Sequence, residues 1–442
     1  MRARLKKRFY LLCLGCPKNV VDAEGMSGLL AEAGWQQVEH PERADVLIVN
    51  TCGFIAPARA ESYHELEKLA QRKRAGQLLL AAGCLAERDG TRLQQDIPGI
   101  DAWLSTRRWS DVVFCLERLL KPQTDAAVRP LDEPSVTSKM RRRAMGASAY
   151  LKIADGCSAT CAFCAIPMIK GPQRSKPQEA ILEEAQQLAT QGVQEIVLIA
   201  QDTTAYGRDR GESDALPGLI EDTLRATPQV PWLRILYAYP QLITPRLIQS
   251  MATHPQACHY LDLPLQHAHP AVLRRMGRSP DVAGVRHLIA ALRQAMPDIA
   301  LRTTFIVGYP GETEEEFDTL LAFMQQEQFD RVGIFIFSLE QGTLAASLPR
   351  QVPSALAKER HERAMELQRS ISLARNQAQV GRTLDVLIEG SERGLSIGRS
   401  YRDAPEIDGY VLLPARLAVG QMVKAKIARA LDYDLEAQVL AG

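Results

Sequence analysis

Three cysteines within eight residues, Cys157, Cys161 and Cys164, constrain this chain more than any other feature. They lie in Gly156-Cys-Ser-Ala-Thr-Cys-Ala-Phe-Cys164-Ala-Ile-Pro167, directly after an apolar run that reads as a strand. Three thiolates in one tight loop can hold three irons of a cubane cluster and leave the fourth iron open. A zinc knuckle is the competing reading. Structural zinc takes four ligands, commonly as two close cysteine pairs, and no fourth partner with that spacing lies nearby. A loop of this kind at the carboxyl end of a strand is placed for catalysis in an α/β architecture.

The surrounding pattern agrees. Residues 9–14, 45–50 and 77–81 are short apolar runs of the kind found in buried parallel strands, with longer amphipathic stretches between them. They predict a small doubly wound α/β domain over 8–120. A polar stretch broken by Pro122, Pro130 and Pro134 and ending in Arg141, Arg142 and Arg143 reads as a linker over 121–142. Strand and helix signals then alternate again. Candidate strands fall at 150–154, 195–201, 233–239, 260–266, 301–308 and 331–338, and helices at 178–191 and after Thr313, where Thr313 and Glu316 form a capping-box pattern. Six such units fit an open, partial (β/α)6 barrel over 143–375 better than a full eight-stranded one, and a charged amphipathic helix is expected from about 354 to 377. Five short strands, 383–390, 395–401, 409–414, 421–431 and 435–440, predict a small antiparallel β-barrel over 378–442.

The chain has 442 residues, 46% hydrophobic and 24% charged, which fits two or three globular domains. Its net charge of +1 gives no long-range pull toward nucleic acid or anionic membrane. The basic start (Arg2, Arg4, Lys6, Lys7, Arg8) is followed by too short an apolar run for a signal peptide, and no segment approaches membrane-spanning length, so a cytoplasmic location is expected. Nine cysteines in such a chain argue against a disulfide framework. Cys13, Cys115 and Cys258 read as core thiols, and His259, His267 and His269 lack helical ligand spacing. Cys16, Cys52 and Cys84 are more than thirty residues apart, yet each follows a predicted parallel strand and has a glycine beside it (Gly15, Gly53, Gly83). Loops at one edge of a parallel sheet converge, so these thiols read either as a shared metal site or as buried structural cysteines.

Taken together, these segments resemble the methylthiotransferase family of the radical S-adenosylmethionine superfamily over nearly the whole chain. That family has an N-terminal methylthiotransferase domain, a radical domain and a C-terminal TRAM domain. Leu14-Gly-Cys-Pro-Lys-Asn-Val-Val-Asp-Ala-Glu24, Asn50-Thr-Cys-Gly-Phe-Ile55 and Cys164-Ala-Ile-Pro167 resemble its RimO branch; Ala23 departs from the serine usual there. The resemblance implies two [4Fe-4S] clusters, one held by Cys157, Cys161 and Cys164 and an auxiliary one held by Cys16, Cys52 and Cys84. It implies S-adenosylmethionine contacts from Phe163, Gln201, Asp202, Gln266, Arg302, Val307 and Glu312, and no catalytic side chain beyond the clusters. The implied reaction adds a methylthio group to the β-carbon of an aspartate in small-subunit ribosomal protein twelve, free or in the small ribosomal subunit. A flavodoxin- or ferredoxin-type reductase would supply electrons. The competing readings are a tRNA adenosine methylthiotransferase and a non-catalytic iron–sulfur protein that binds RNA or ribosomes. Charge bears on this choice. Residues 379–442 hold eight Lys/Arg and nine Asp/Glu, whereas a module gripping RNA phosphates should be clearly basic. Direct nucleic-acid binding is therefore not expected. Lys424 and Lys426 share a strand face by period two, and Arg429 joins them only if a bulge intervenes.

Overall fold

The computed structural model describes residues 7–120, 142–144 and 146–440. The expected linker lies outside the described residues, apart from Arg142. The chain forms two compact units: 1–143, 155–159 and 165–184 make the first, and 144–154, 160–164 and 185–442 the second. By packing, then, 155–159 and 165–184 group with the N-terminal residues rather than with the rest of 143–375.

In the first unit, β1 (Arg8–Cys13), β2 (Gln36–Gln37), β3 (Val46–Thr51), β4 (Leu78–Gly83) and β5 (Ala102–Ser105) form a wholly parallel sheet in the order β2-β1-β3-β4-β5. Helices α1 (Pro17–Glu32), α2 (Ala56–Arg72), α3 (Cys84–Asp96) and α4 (Val112–Leu120) cover it. Period-two alternation makes the two faces: Val46 and Ile48 join Met26, Leu30 and Leu116 in one core, while Leu47 and Val49 join Leu66, Leu69 and Leu93 in the other. This is the doubly wound arrangement, and its strand order reverses between β1 and β3. Arg142, expected to be linker, is instead buried, with its guanidinium paired to Glu24 and, at 2.7 Å, to Glu184. Its paired burial explains why a charged residue can sit there.

In the second unit, β6 (Ser148–Lys152) begins the parallel sheet. After the two-residue strands β7 (Ala154–Asp155) and β8 (Arg174–Ser175) come β9 (Glu195–Ile199), β10 (Trp232–Ile235), β11 (Ala257–Gln266), β12 (Ala300–Val307) and β13 (Arg331–Ile336). The sheet order is β13-β12-β11-β10-β9-β6, six parallel strands as expected. Of the intervening elements, β8, α5 (Ile166–Lys170) and the first half of α6 (Gln178–Thr190) group with the first unit. The connecting helices of the second include α7 (Leu216–Ala226), α8 (Pro245–Thr253), α9 (Pro270–Arg275), α10 (Val282–Ala295) and α11 (Glu314–Glu327), the last opened by the expected capping box. Helix α12 (Ser354–Gln377) follows.

The C-terminal strands β14 (Thr383–Glu392), β15 (Leu395–Ser400), β16 (Val411–Leu413), β17 (Met422–Ala430) and β18 (Leu435–Val439) close into a barrel. One pairing, β16 with β18, is parallel, against the expectation of a purely antiparallel barrel. The reason is arithmetic: a ring with an odd number of strands cannot alternate direction throughout. The barrel also reaches back to the parallel sheet. Arg399 donates to Glu195 (2.6 Å) at the start of β9, Arg331 at the start of β13 donates to Asp403 (2.6 Å), Tyr260 of β11 donates to Asp408 (2.6 Å), and Arg402 pairs with Asp330. Residues 399–408 therefore stopper the amino-terminal mouth of the sheet with buried, mutually compensated charges. The carboxyl ends of the strands carry the candidate site. Among the described residues no helix is long and apolar enough to cross a membrane.

Candidate functional site

Cys16, Cys52 and Cys84 converge at the carboxyl edge of the first sheet. Cys16 caps α1 with Pro17 behind it, and Cys84 is the first residue of α3, so both sulfurs sit at the positive ends of helix dipoles. Cys52 follows β3 directly. Their loops touch. Gly15 has φ +94°, and a Cβ there would come within 2.8 Å of Cys52 Cβ and 3.1 Å of its sulfur. A Cβ on Gly53 would lie 2.8 Å from the Cys84 backbone. Only glycine permits that approach.

Polar side chains of the same motifs stitch the strand ends together. Asn19 Nδ2 donates to the carbonyls of Leu14 (2.8 Å) and Thr51 (3.1 Å), Asn50 Nδ2 donates to Asn19 O (2.8 Å), and Thr51 Oγ1 donates to Ala82 O (2.5 Å). The thiol of Cys84 faces Asn19 Oδ1 at 3.7 Å. Burial pushes the Cys84 thiol up to about 12 and raises that of Cys52, and in both cases Lys170 acts in the opposite direction. The thiols also raise one another, as neighbouring negative charges do. Lys170 itself stays well above its ordinary value: burial would lower it, but Asp155 and Asp22 outweigh that.

Two buried cysteines and a half-buried third, two helix N-termini and one lysine fit an anionic three-thiolate cluster with an open iron. Among the described residues, no group of three His, Cys, Asp or Glu is arranged to hold a single metal ion. A cubane makes a different demand, because each thiolate binds its own iron.

The loop of Cys157, Cys161 and Cys164 is pinned at both ends. In the first unit, Cys157 N donates to Gly171 O (3.0 Å) and Gln173 N to Ser158 Oγ (3.1 Å). In the second, Ala162 N donates to Met276 O (2.8 Å) and Cys164 N to Cys161 O (3.1 Å). Arg278 Nη1 points at Cys161 Sγ (3.6 Å), while its Nη2 donates to Pro264 O (2.6 Å) and its plane lies 4.2 Å from the Tyr239 ring centre.

The side chains expected to meet S-adenosylmethionine divide into two groups. Phe163 packs against Ala162, Val272 and Tyr309. Gln201 and Asp202 follow β9; Asp202 accepts from Thr204 Oγ1 (2.6 Å) and Ala205 N (3.2 Å), and burial raises its carboxyl. Gln266 and Val307 are the last residues of β11 and β12. These five stand at strand carboxyl ends or on the cysteine loop. Arg302 and Glu312 do not offer free groups. Arg302 lies early in β12, bound to Asp262 (2.8 Å) and Asp408 (3.3 Å). Glu312 is buried, accepting from Gly308 N (2.7 Å) and Arg360 (2.7 Å) and facing His267 (3.1 Å).

Histidine roles are structural: His259 pairs with Asp298 (2.6 Å), and His269 accepts from Ala271 N at the start of α9. Cys258 is buried in β11, Cys13 ends β1, and Cys115 lies on α4.

Sequence reasoning missed Arg278, Lys170, Asn19 and Asn50. It also missed the left-handed backbone of Tyr237 (φ 63°) and Gln266 (φ 73°), two non-glycine residues held in a costly conformation just after β10 and at the end of β11. The two asparagines could have been found, since each sits beside a flagged cysteine. The others depend on contacts that no local pattern announces.

Three family models match the chain: the uncharacterized protein family UPF0004 over 8–105, the radical SAM superfamily over 151–324, and the TRAM domain over 380–440. Among similar proteins is a ribosomal protein uS12 methylthiotransferase RimO of Roseiflexus sp. (strain RS-1), 51% identical over 97% of this chain and 96% of its own. The protein of the same name from Chloroflexus aurantiacus is 50% identical over 98% of this chain and all of its own. Among solved structures, the radical S-adenosylmethionine methyltransferase TsrM of Kitasatospora setae shares the fold, with a TM-score of 0.56 and 13% identity over 89% of this chain and 81% of that one.

Proposed function

The chain belongs to the RimO family of ribosomal protein uS12 methylthiotransferases, radical S-adenosylmethionine enzymes, and from that membership we propose that it adds a methylthio group to the β-carbon of an aspartate in small-subunit ribosomal protein twelve. Membership brings one [4Fe-4S] cluster and S-adenosylmethionine. The observation that carries the finer reading is the convergence of Cys16, Cys52 and Cys84 through the contacts of Gly15 and Gly53, in a chain that also holds the Cys157, Cys161 and Cys164 loop.

Cys157, Cys161 and Cys164 hold the radical cluster, and Cys16, Cys52 and Cys84 hold a second. When bound, the clusters and S-adenosylmethionine supply the radical chemistry, the methyl group and the sulfur. The chain supplies position and dryness. Phe163, Gln201, Asp202, Gln266 and Val307 cradle S-adenosylmethionine, while Arg302 and Glu312 fix the strands behind them. His267 is no base: it is buried against Glu312, its other ring nitrogen accepts from His269 N, and burial lowers its affinity for a proton. Hydrogen removal as an atom needs no such group. A flavodoxin- or ferredoxin-type reductase and a cytoplasmic setting complete the reading.

One feature favours the tRNA alternative. The β17 ladder does carry a bulge between Ile427 and Arg429, and Lys424, Lys426 and Arg429 are all exposed. Two of the three are paired with carboxylates on neighbouring strands, Lys424 with Asp385 (2.9 Å) and Arg429 with Glu436 (2.7 Å), so the stripe carries less net positive charge than its cations alone suggest. The test is intact-mass analysis of ribosomal protein twelve, with nucleoside analysis of tRNA, from cells with and without the gene. Loss of one methylthio group from the protein with tRNA unchanged is expected. Unaltered protein with loss of methylthioadenosine from tRNA would overturn the substrate assignment.

A further inference from the structure

Lys170 ends α5, six residues after Cys164, and its side chain is only 2% exposed. Its ammonium lies 3.2 Å from Asp22 and 3.3 Å from Asp155. Asp22 belongs to α1, the helix capped by Cys16, and Asp155 is two residues before Cys157. The neighbouring Ile169 packs with Cys84 and Ala165. Arg107 fixes this end of α5 by donating to the carbonyls of Met168 (2.9 Å) and Ile169 (3.0 Å). An ammonium fully removed from water costs several kcal/mol before its partners compensate. An apolar side chain would fill the same space more cheaply, so the retained charge asks for a role.

We propose that Lys170 is a positioning residue whose fixed positive charge serves the auxiliary cluster: through Asp22 and Asp155 it braces the Cys16 helix against the start of the Cys157 loop, and its ammonium raises the reduction potential of the cluster held by Cys16, Cys52 and Cys84. This rests on the auxiliary-cluster assignment made above. Net charge and hydrogen bonding around the sulfurs are the levers by which a protein sets such a potential. A cation nearby favours the reduced, more negative form.

The test uses the full chain carrying C157A, C161A and C164A, so that only the auxiliary cluster remains after anaerobic reconstitution. Iron and sulfide are counted, and the midpoint potential is read by an EPR-monitored titration, for this parent and for K170M and K170R added to it. K170M is expected to shift the reduction equilibrium at least tenfold toward the oxidised form, about 59 mV for one electron, and K170R to restore most of the shift. A K170M protein that loses its cluster where K170R keeps it supports the proposal equally. An unchanged potential in K170M, or equal loss of cluster from both variants, overturns it. A parent that binds no iron–sulfur cluster overturns the underlying assignment instead, and is recognised before Lys170 is altered.

Discussion

Under the proposed function, Cys157 and Cys52 have two separable jobs. Cys157 belongs to the loop assigned to reductive cleavage, and Cys52 to the site assigned to sulfur transfer. Cys157→Ala should therefore abolish 5′-deoxyadenosine formation. Cys52→Ala should keep that product while losing methylthiolation of ribosomal protein twelve, both read by chromatography and mass spectrometry of one reaction. Sulfur transfer persisting in Cys52→Ala would refute the auxiliary role. Glu195 is the corresponding structural residue. Burial alone would raise its carboxyl, but Arg399 and Arg234 more than reverse that and hold it at about 2 against an ordinary 4.5. A carboxylate depressed on folding stabilises fully above its unfolded value and loses that contribution as pH falls through the folded one. Unfolding midpoints should accordingly drop between about pH 4.5 and 2. Glu195→Gln should cost roughly 3–5 kcal/mol in denaturant melts, because it leaves two buried guanidinium groups short of a partner.

At the scale of an element, the turn from β1 to α1 carries more than its length suggests. Gly15 holds a left-handed backbone and sits against Cys52, so Gly15→Ala combines strain with a collision at 2.8 Å. The expected result is a folded protein with about half the wild-type iron per chain after reconstitution, since the radical loop is untouched. Full iron in that variant would show that the Gly15 approach does not shape the auxiliary site. The β17 bulge is a second such element. Period two alone leaves Arg429 off the lysine face, and one irregular step of the ladder exposes it.

Across the whole molecule, what was legible in the sequence was whatever a strand or helix writes into its own periodicity. The two parallel sheets, the Thr313 cap and the five-stranded closure could be read that way, as could the placement of Cys16, Cys52 and Cys84 after successive strands. Contacts between distant residues could not. Arg399 meets Glu195 across 204 positions and Lys170 meets Asp22 across 148, and nothing in either local pattern distinguishes these cations from solvated ones. The same blindness placed Arg142 in a linker, although it is buried against Glu24 and Glu184. The C-terminal strands likewise read as a small barrel, with no sign in their pattern that residues 399–408 complete the amino-terminal mouth of the parallel sheet. Removing 379–442 should therefore do more than delete a module. The truncated chain should lose the cooperative thermal transition of the second unit, seen by calorimetry, whereas a merely appended barrel would leave that transition intact.

The stopper at 399–408 also sets a timetable. A chain emerging from the ribosome exposes Glu195, Arg234, Arg302, Asp330 and Arg331 long before Arg399, Arg402, Asp403 and Asp408 have been made. Until those last partners arrive, the mouth of the sheet must stay hydrated, since an unpaired buried charge is the costlier state. The second unit can therefore lock shut only near the end of translation, and any stall before residue 408 leaves it open.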